Sequence, residues 1–384
     1  MTNSSRKLRV LYTIPMFSQE CVGTYARFHD VIHTLQRMYE PPWEHTIVPL
    51  RRYYGELSPR VLFQDGNAFF RLRNYLRNIA RASRGADIIH IVQGDLINSL
   101  PPLILVPPDK PLVAGPNLMT FFYPPRVAPL LMSSVLSQKA LLYRLKLSRH
   151  WRNRSVFANW SPLSRRYCLV LAFSDYHKEL YAESRVDIAK IEVLPTGVRT
   201  DLFNPGGTRD SLFSPESLSI LYVADLRHPL LKGFDVFVEG LTYLEREKIP
   251  FHAWIVGGTA DQIKCRLPVS QSCLSFLGYI PRWGLARYYR SCDVFVNSSR
   301  FEMDGTTSVE ALACGTPVIG TDIPSFSEKN HLTFRWGDGV DLGRKLEEFY
   351  EHQARFKKKA LADAETWDIR ATIEKLLGIY ETLA

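Results

Sequence analysis

Two glutamates, Glu302 and Glu310, enclose a group of small residues in the second half of the chain. Gly305, Thr306 and Thr307 lie between them. Small residues at the start of a helix leave backbone N–H groups open to an anion, because these groups lack partners within the helix. The segment therefore predicts an anion site with two carboxylates beside it. Alternatively, both glutamates only favour a helix N-terminus through its dipole, an effect of ~0.3–1 kcal/mol each.

The residues around Glu310 indicate how a short helix would hold it. Thr306 or Thr307 suits the N-cap position, Gly315 suits the residue just past the helix, and Pro317 opens the next strand. We expect the helix to begin near Thr307, with Glu310 in about its first turn.

Two cations, Arg227 and Lys232, lie before another predicted helix start. The stretch Leu221–Leu241 reads as a strand, a loop that contains both cations, and a helix from about Gly233 with one apolar face. Two cations and a helix start at the carboxyl end of a strand favour a diphosphate.

The elements that must position these residues alternate between short apolar runs and helix-period segments, which is typical of βα units and parallel sheets. The first series of predicted strands is Val10–Ile14, Ile47–Leu50, Ile88–Val92, Leu112–Ala114 and Leu169–Phe173. The second series is Ser219–Ala224, Ala253–Val256, Leu274–Leu277, Val294–Asn297 and Pro317–Gly320. Because open sheets bind ligands at the carboxyl ends of their strands, two such α/β domains suggest a cleft between them.

The domain boundaries follow from a segment rich in Pro, Gly and Ser. Residues 204–217 read NPGGTRDSLFSPES, which predicts a linker. We therefore predict an N-terminal domain at 1–203 and a C-terminal domain at 218–365. A final helix at 366–384 is expected to pack back towards the first domain.

Length and composition fit two folded cores and exclude several classes of protein. The chain has 384 residues, of which 46% are hydrophobic and 23% are charged, as in ordinary globular domains. It has no run of eighteen apolar residues, its start does not read as a signal peptide, and its six cysteines form no CxxC pair. We expect a cytoplasmic protein with reduced thiols.

The net charge of +9 comes from one segment. Residues 110–174 hold ten Lys and Arg and no Asp or Glu, which leaves 38 basic and 39 acidic residues elsewhere. Within this segment, Leu130–Arg149 has the pattern of an amphipathic helix. It is either the solvated edge of a core helix or a peripheral contact with an anionic membrane. Nucleic acid is disfavoured, because the excess charge is local and no binding module is recognisable.

Taken together, these segments resemble the retaining nucleotide-sugar glycosyltransferases of family 4, the glycosyl transferases group 1. Their motif of two glutamates eight positions apart, followed by A-x-A-x-G-x-P-V, is similar to Glu302–Val318. Further similarity lies in Leu194–Phe203, Ile255–Gly258, Phe276–Pro281, Leu8–Ile14 with Gly23, and Ala86–His90. The resemblance implies the GT-B architecture, an α/β fold of two Rossmann-like domains whose parallel sheets face each other across a donor cleft.

The resemblance also implies roles for individual residues. Glu302 would contact the transferred sugar near its reacting carbon, and Glu310 would hold the ribose hydroxyls. Lys232, with Arg227, would neutralise the leaving diphosphate. Tyr279 and Ile280 would flank the base. The other implied donor contacts are Gly305, Thr306, Thr307, Gly257 and, in the first domain, Gly23.

The sequence departs from the family pattern in two places. Ala224–Asp225 stands where the family commonly has Gly-Arg, which suggests that the arginine is displaced to Arg227. The family's first-domain histidine falls near Asn117, where this chain has none. Asn117 is the candidate to replace its hydrogen bond, with His90 or Gln93 as alternatives. A lone His90 after a hydrophobic strand is otherwise expected to be a structural residue.

The activity implied is transfer of a sugar from a nucleoside diphosphate to an acceptor hydroxyl with retained anomeric configuration, in cell-surface polysaccharide or glycolipid synthesis. No DxD pair occurs in the sequence, so the pattern does not require a metal. The expected partners are a nucleotide-sugar donor, a carbohydrate or lipid-linked acceptor, and an anionic membrane at residues 110–174. The alternatives are a non-catalytic nucleotide-sugar or polyanion binder, and an epimerase or phosphorylase of the same architecture.

Overall fold

The computed structural model divides into two compact units. The residues that it describes are 7–18, 24–38, 41–54, 67–93, 96–117, 165–183, 186–195, 197–210, 217–227, 229–259, 267–302, 304–324 and 329–384. Among these, the first unit comprises residues 7–117, 165–197 and 369–384, and the second comprises residues 198–368.

The first unit is a six-stranded parallel sheet with helices packed on it. Its strands are β1 (Leu8–Ser18), β2 (Trp43–Tyr54), β3 (Ile88–Gln93), β4 (Leu112–Asn117), β5 (Leu169–Ala172) and β6 (Ile191–Val193). Its helices are α1 (Thr24–Arg37), α2 (Ala68–Ala82), α3 (Leu96–Leu105), α4 (Asp175–Glu183) and α10 (Ile369–Leu383). The strand order is β2-β1-β3-β4-β5-β6, and every neighbouring pair is parallel.

This sheet is buried on both faces, which is why its strands are nearly continuous apolar runs. In β1, Val10 and Tyr12 lie in one apolar core and Leu11 lies in the other, because successive side chains of a strand point to opposite faces. The C-terminal helix α10 packs into the first of these cores through Ile373 and Tyr380.

The second unit is another six-stranded parallel sheet with helices. Its strands are β7 (Leu218–Val223), β8 (Phe251–Val256), β9 (Leu274–Gly278), β10 (Val294–Asn297), β11 (Val318–Thr321) and β12 (Leu332–Phe334). Its helices are α5 (Phe234–Arg246), α6 (Arg282–Ser291), α7 (Thr306–Ala313), α8 (Gly339–Glu351) and α9 (Gln353–Asp363). The strand order is β12-β11-β10-β7-β8-β9, with parallel neighbours throughout.

The order of strands in this second sheet reverses between β7 and β10. The chain runs outwards from β7 through β8 to β9, and then returns to place β10 on the other side of β7. In open parallel sheets, ligands bind outside the carboxyl ends of the strands at such a reversal. The loops that follow β7 and β10 flank this position.

The two parallel sheets confirm the predicted α/β class. The apolar face predicted for the helix after Gly233 is also confirmed, because Phe234, Phe237, Leu241 and Leu244 of α5 are all buried. Strands β6 and β12 and helices α3 and α4 were not predicted.

The start of α7 differs from its prediction. The helix begins at Thr306, and its N-cap is Gly305, with φ of 61°. Neither threonine is therefore the cap, because the chain enters the helix through a left-handed residue and glycine adopts that conformation without strain. The predicted glycine just past the helix is confirmed at Gly315, whose φ is 74°.

The described part of the predicted linker, residues 204–210, contacts α6 within the second unit. Arg290 donates to the carbonyl oxygens of Asn204 and Thr208. The boundary between the two units lies before the predicted linker, between Gly197 and Val198. The chain returns to the first unit after residue 368.

In the described part of the chain, no helix is both long enough and apolar enough to cross a membrane. The predicted amphipathic segment Leu130–Arg149 lies outside the described residues, as do residues 118–164 of the basic segment in general.

Candidate active site

Lys232 and Glu302 come together at the reversal of strand order in the second sheet. Lys232 lies in the loop after β7, and Glu302 lies in the loop after β10. Lys232 Nζ donates to Glu302 Oε2 at 3.0 Å, and the two side chains are 27% and 19% exposed. A predicted cation and a predicted carboxylate thus form an ion pair that a ligand can reach.

The loop that carries Lys232 is fixed by its backbone. Tyr222 Oη donates to the Lys232 carbonyl oxygen at 2.7 Å, and the Ser298 hydroxyl donates to the Gly233 carbonyl oxygen at 2.8 Å. Gly233 has φ of 64°, and a Cβ there would collide with the Ser298 carbonyl oxygen. The loops after β7 and β10 therefore approach each other so closely that this position requires glycine.

The loop after β10 is held by polar groups that the sequence analysis did not identify. Asp304 is buried and pairs with Lys329 at 3.1 Å, and Lys329 also donates to the Asp304 carbonyl oxygen at 3.0 Å. Asn297 donates to the Ser308 hydroxyl at 3.0 Å. These contacts hold the chain on both sides of Gly305.

Two helices begin beside the ion pair, α5 after Gly233 and α7 after Gly305. Neither N-cap residue makes a side-chain capping bond. Thr306 and Thr307 form the first turn of α7 and are partly buried. Because helix N-termini carry partial positive charge, this edge of the sheet favours an anionic ligand.

Glu310 has two partners of its own, Arg282 and Tyr289. Its side chain is 2% exposed. Arg282 Nε donates to Glu310 Oε1 at 2.5 Å, and Tyr289 Oη donates to Oε2 at 3.1 Å. Burial, together with the nearby carboxylate, raises the pKa of Tyr289, so its hydroxyl stays protonated. Both oxygens of Glu310 are thus engaged within the protein, whereas the implied role was to hold ribose hydroxyls.

Arg227 also has a carboxylate of its own. It is exposed and bonds Asp225 through Nε at 2.9 Å and through Nη2 at 2.6 Å. Asp225 is one of the residues that depart from the family pattern. The structure therefore places Lys232, and not Arg227, against Glu302.

The remaining predicted residues of the second unit follow β8 and β9. Gly257 has φ of 101°, and a Cβ there would collide with the Ala224 carbonyl oxygen, so the ends of β7 and β8 approach closely. Tyr279 and Ile280 come directly after β9, and Tyr279 is exposed. These two residues lie at the same edge of the sheet as the ion pair, because parallel strands end at one edge.

In the first unit, Asn117 is the last residue of β4, but its side chain lies outside the described part, as does Gly23 altogether. His90 is buried in β3, with Nδ1 2.6 Å from Tyr380 Oη and Nε2 2.7 Å from the Gly115 carbonyl oxygen. Both ring nitrogens serve the fold, as expected for a structural histidine.

Arg282 is a residue of the site that the sequence analysis missed. It is the first residue of α6, and its guanidinium lies 5.0 Å from the centre of the Phe203 ring. A cation at a helix N-terminus is opposed by the helix dipole. An arginine directly after Pro281 was therefore a signal for a nearby carboxylate, which the structure identifies as Glu310.

The fold defines an α/β protein of the GT-B class, with an anion-favouring edge in its second sheet. Residues 217–352 match the family model of the glycosyl transferases group 1. The resemblance seen in the sequence is therefore confirmed over this part of the chain.

Solved structures share the fold over nearly the whole chain. Sucrose-phosphate synthase from Thermosynechococcus elongatus has a TM-score of 0.69 at 16% identity and covers 98% of this chain and 99% of its own. Anabaena HepE in complex with UDP-glucose has a TM-score of 0.67 at 15% identity, over 98% and 100%. At these identities the similarity shows the fold alone.

A relative in sequence is the D-inositol 3-phosphate glycosyltransferase of Paenarthrobacter aurescens. It is 31% identical over 172 residues, which are 39% of this chain and 39% of that protein. The chain thus aligns with less than half the length of this relative.

Proposed function

We propose that this protein is a retaining glycosyltransferase that moves a sugar from a nucleoside diphosphate to an acceptor hydroxyl. The proposed acceptor is a carbohydrate or a lipid-linked carbohydrate, as in the synthesis of surface polysaccharides or glycolipids. The family match over residues 217–352 supports the class of reaction. The observation that carries the proposal is the Lys232–Glu302 ion pair at the reversal of strand order.

Lys232 is the group that we assign to the leaving diphosphate. When the bond between the sugar and the diphosphate breaks, negative charge grows on the phosphate oxygens. A cation already held at that position stabilises the transition state more than the ground state. The backbone bonds to Tyr222 and Ser298 keep the Lys232 loop in place before the donor arrives.

The N-termini of α5 and α7 add to this stabilisation. Both start at the carboxyl edge of the sheet beside Lys232 and Glu302. Their partial positive charges favour the diphosphate in the same direction as the lysine. This local positive field is the reason that we propose transfer without a divalent metal.

Glu302 is the group that we assign to the sugar. Glycosyl transfer passes through a transition state in which positive charge develops at the anomeric carbon. Glu302 lies within hydrogen-bond distance of Lys232, which we assign to the leaving diphosphate. Its carboxylate is therefore placed to stabilise the positive charge that develops on the sugar. We propose that departure of the diphosphate and attack of the acceptor occur on one face of the sugar, which retains the configuration.

Replacement of Lys232 tests this assignment. We expect Lys232→Ala to lower the rate of nucleoside diphosphate release from a sugar donor by about 100-fold or more, because a preorganised charge on the leaving group is lost. The matched control is Lys345→Ala, which removes a lysine that pairs with Glu348 on α8. Near-equal rates for the two variants would overturn the assignment.

The donor is first chosen by thermal shift against UDP-, GDP-, ADP- and dTDP-sugars. Product stereochemistry is read by proton NMR, and inversion would contradict the retaining mechanism. Added EDTA should leave the rate unchanged if no metal takes part.

A non-catalytic binder is the second candidate, because the Asp225–Arg227 pair neutralises one of the two cations assigned to catalysis. Stoichiometric donor binding without product formation would support it. Conversion of the donor without any acceptor would instead support an epimerase.

A further inference from the structure

Arg300 joins the two loops that carry Lys232 and Glu302. It lies in the loop after β10, two residues before Glu302. Its backbone N–H donates to the Leu231 carbonyl oxygen at 2.9 Å, and its Nη1 donates to the Leu230 carbonyl oxygen at 2.8 Å. The main chain and the side chain of one arginine thus both hold the residues that directly precede Lys232.

The guanidinium of Arg300 is oriented by a carboxylate on α5. Nη1 donates to Asp235 Oδ1 and Nη2 donates to Asp235 Oδ2, both at 2.6 Å. Two parallel bonds between planar groups fix the direction of both side chains, which a single contact does not. Asp235 lies in the first turn of α5, so the start of this helix is tied to the same arginine.

The carbonyl group of Arg300 is held from a third segment. Trp336 follows β12, and its Nε1 donates to the Arg300 carbonyl oxygen at 2.8 Å. The N–H, the carbonyl oxygen and the guanidinium of Arg300 therefore all have partners, on three segments of the second unit. Only 15% of the Arg300 side chain is exposed, so the guanidinium is a fixed part of the loop and not a free surface charge.

These contacts do not use the side chains of Lys232 and Glu302. In the proposed reaction Lys232 binds the diphosphate and Glu302 faces the sugar, so their ion pair no longer fixes the distance between the loops. The Arg300 contacts and the close approach of Gly233 to Ser298 remain. Along the chain they lie on either side of Lys232, because Arg300 holds the residues before it and Ser298 holds the residue after it.

We propose that Arg300 is a positioning residue for glycosyl transfer. It keeps Lys232 and Glu302 at the separation that the transition state requires once the donor has taken the place of their ion pair. A displacement of about 1 Å near reacting groups costs on the order of 100-fold in rate, so a link of this kind acts on turnover more than on binding. This inference rests on the proposed function.

Two other roles of Arg300 would give different results. An arginine that bound the donor directly would raise the donor KM when replaced, but this guanidinium is engaged by Asp235 and by the Leu230 carbonyl oxygen. An arginine that only stabilised the fold would lower the unfolding temperature when replaced and leave kcat unchanged. The division of the effect between kcat and KM therefore separates the three roles.

Steady-state kinetics of nucleoside diphosphate release test the proposal on variants of the full chain. Arg300→Ala removes the link, Arg300→Lys keeps the charge without the two parallel bonds, and Asp235→Asn weakens the link from its other end. The matched control is Arg290→Ala. It also removes a guanidinium that donates to two backbone carbonyl oxygens of the second unit, but at Asn204 and Thr208.

We expect Arg300→Ala and Arg300→Lys to lower kcat by about 10-fold or more and to change the donor KM by less than about twofold. Asp235→Asn should lower kcat by a smaller factor. The combination of Arg300→Ala with Asp235→Asn should lose no more than Arg300→Ala alone, because the two residues act through one contact. Arg290→Ala should keep the wild-type kcat. All rates are measured below the unfolding temperature of each variant.

Hydrogen exchange gives a second measurement that does not depend on activity. The Gly233 N–H donates to the Leu230 carbonyl oxygen at 3.2 Å, within the loop that Arg300 holds. Arg300→Ala should speed exchange of the peptide that contains this amide, because the loop is released. Arg290→Ala should leave the exchange of this peptide at the wild-type rate.

Four results would overturn the proposal. These are an unchanged kcat in Arg300→Ala, a loss confined to the donor KM, full activity in Arg300→Lys, and equal exchange of the Gly233 peptide in Arg300→Ala and Arg290→Ala. Each of them leaves the transferase activity of the wild-type chain standing. Failure of the wild-type chain to release a nucleoside diphosphate from any donor would instead overturn the proposed function, and this inference with it.

Discussion

At the scale of single residues, Glu310 and Arg282 each compensate a charge that would be unfavourable at the other's position. Arg282 begins α6, where the dipole opposes a cation, and Glu310 is a carboxylate with only 2% of its side chain exposed. A buried ion pair contributes little net stability, but the loss of one partner leaves an uncompensated charge. Glu310 thus has a structural role in addition to any contact with a donor.

Replacement of Glu310 should consequently lower the stability of the folded chain. We expect Glu310→Ala to lower the free energy of unfolding by about 3–5 kcal/mol, because Arg282 remains buried without its carboxylate. Chemical denaturation followed by the CD signal measures this. Glu348→Ala, at a partly exposed pair on α8, serves as the control and should change stability by less than about 0.5 kcal/mol. Equal effects would show that the buried pair is not formed.

His90 gives the first unit a pH-dependent stability. Burial lowers the pKa of His90 to about 4, below the ordinary value of about 6.5. Between these values the unfolded chain binds a proton that the native chain does not. The contribution of His90 is therefore complete above about pH 6.5 and is lost as the pH falls towards 4.

The corresponding measurement is hydrogen exchange of the β3 amides at pH 7 and pH 5, corrected for intrinsic rates. From pH 7 to pH 5, the opening free energy should fall by on the order of 1–2 kcal/mol in the wild-type chain. We expect His90→Gln to flatten this dependence. His352→Gln, at an exposed position after α8, should leave it unchanged. A slope retained in His90→Gln would contradict the assignment.

At the scale of elements, the loops after β7 and β10 are coupled through Gly233. The residue is left-handed, and its missing side chain admits the Ser298 carbonyl. Lys232 directly precedes Gly233, so the position of the cation depends on this contact.

Two alanine substitutions separate this effect from the general effect of a glycine. Gly233→Ala should cost at least about 1–2 kcal/mol of stability and reduce donor turnover, because Ala is strained at positive φ and the loops must separate. Gly378→Ala, in α10 with open space around it, should instead stabilise by about 0.5–1 kcal/mol. Thermal unfolding measures the change in stability, and the donor assay measures the change in turnover. Stabilisation by Gly233→Ala would contradict the close approach.

The elements that the sequence predicted are those with long apolar runs or strong boundary signals. β7 and α5 were predicted because a buried strand and a one-sided apolar helix have clear periods. β6 and β12 span three residues each, which is too short for a period, so they were missed. Glu302 was singled out by its spacing from Glu310 around small residues, and Lys232 by its place in a loop before a helix start. The partner of Glu310 was missed, because Arg282 lies 28 residues away in the sequence.

At the scale of the whole molecule, the chain leaves the first unit after residue 197 and returns to it at residue 369. The second unit is therefore an insertion between β6 and α10. Tyr380 of α10 lies against His90 and Tyr12 in the first unit, at 2.6 Å and 3.1 Å between hydrogen-bonding atoms. The first unit is thus completed by the last residues of the chain.

Removal of residues 369–384 should unfold the first unit and leave the second folded. The deletion takes Ile369, Ile373, Leu376 and Tyr380 out of the first core, at about 1.5–3 kcal/mol each, against a total stability of about 5–15 kcal/mol for a domain. Limited proteolysis with mass spectrometry should find new cuts before residue 197. Deletion of residues 382–384 is the control and should add no such cuts. Protection of the first unit in the longer deletion would refute the expectation.

The spacing of strands in the second unit also sets the distance between the loops assigned to the ligand. Neighbouring strands lie about 4.8 Å apart, and two such steps separate β7, which precedes Lys232, from β9, which precedes Tyr279. The predicted contacts to the base and the ion pair assigned to chemistry are thus on separate loops about 10 Å apart along the edge. Under the proposed function, a substitution after β9 would change the preference for a nucleobase while the Lys232–Glu302 pair stays untouched.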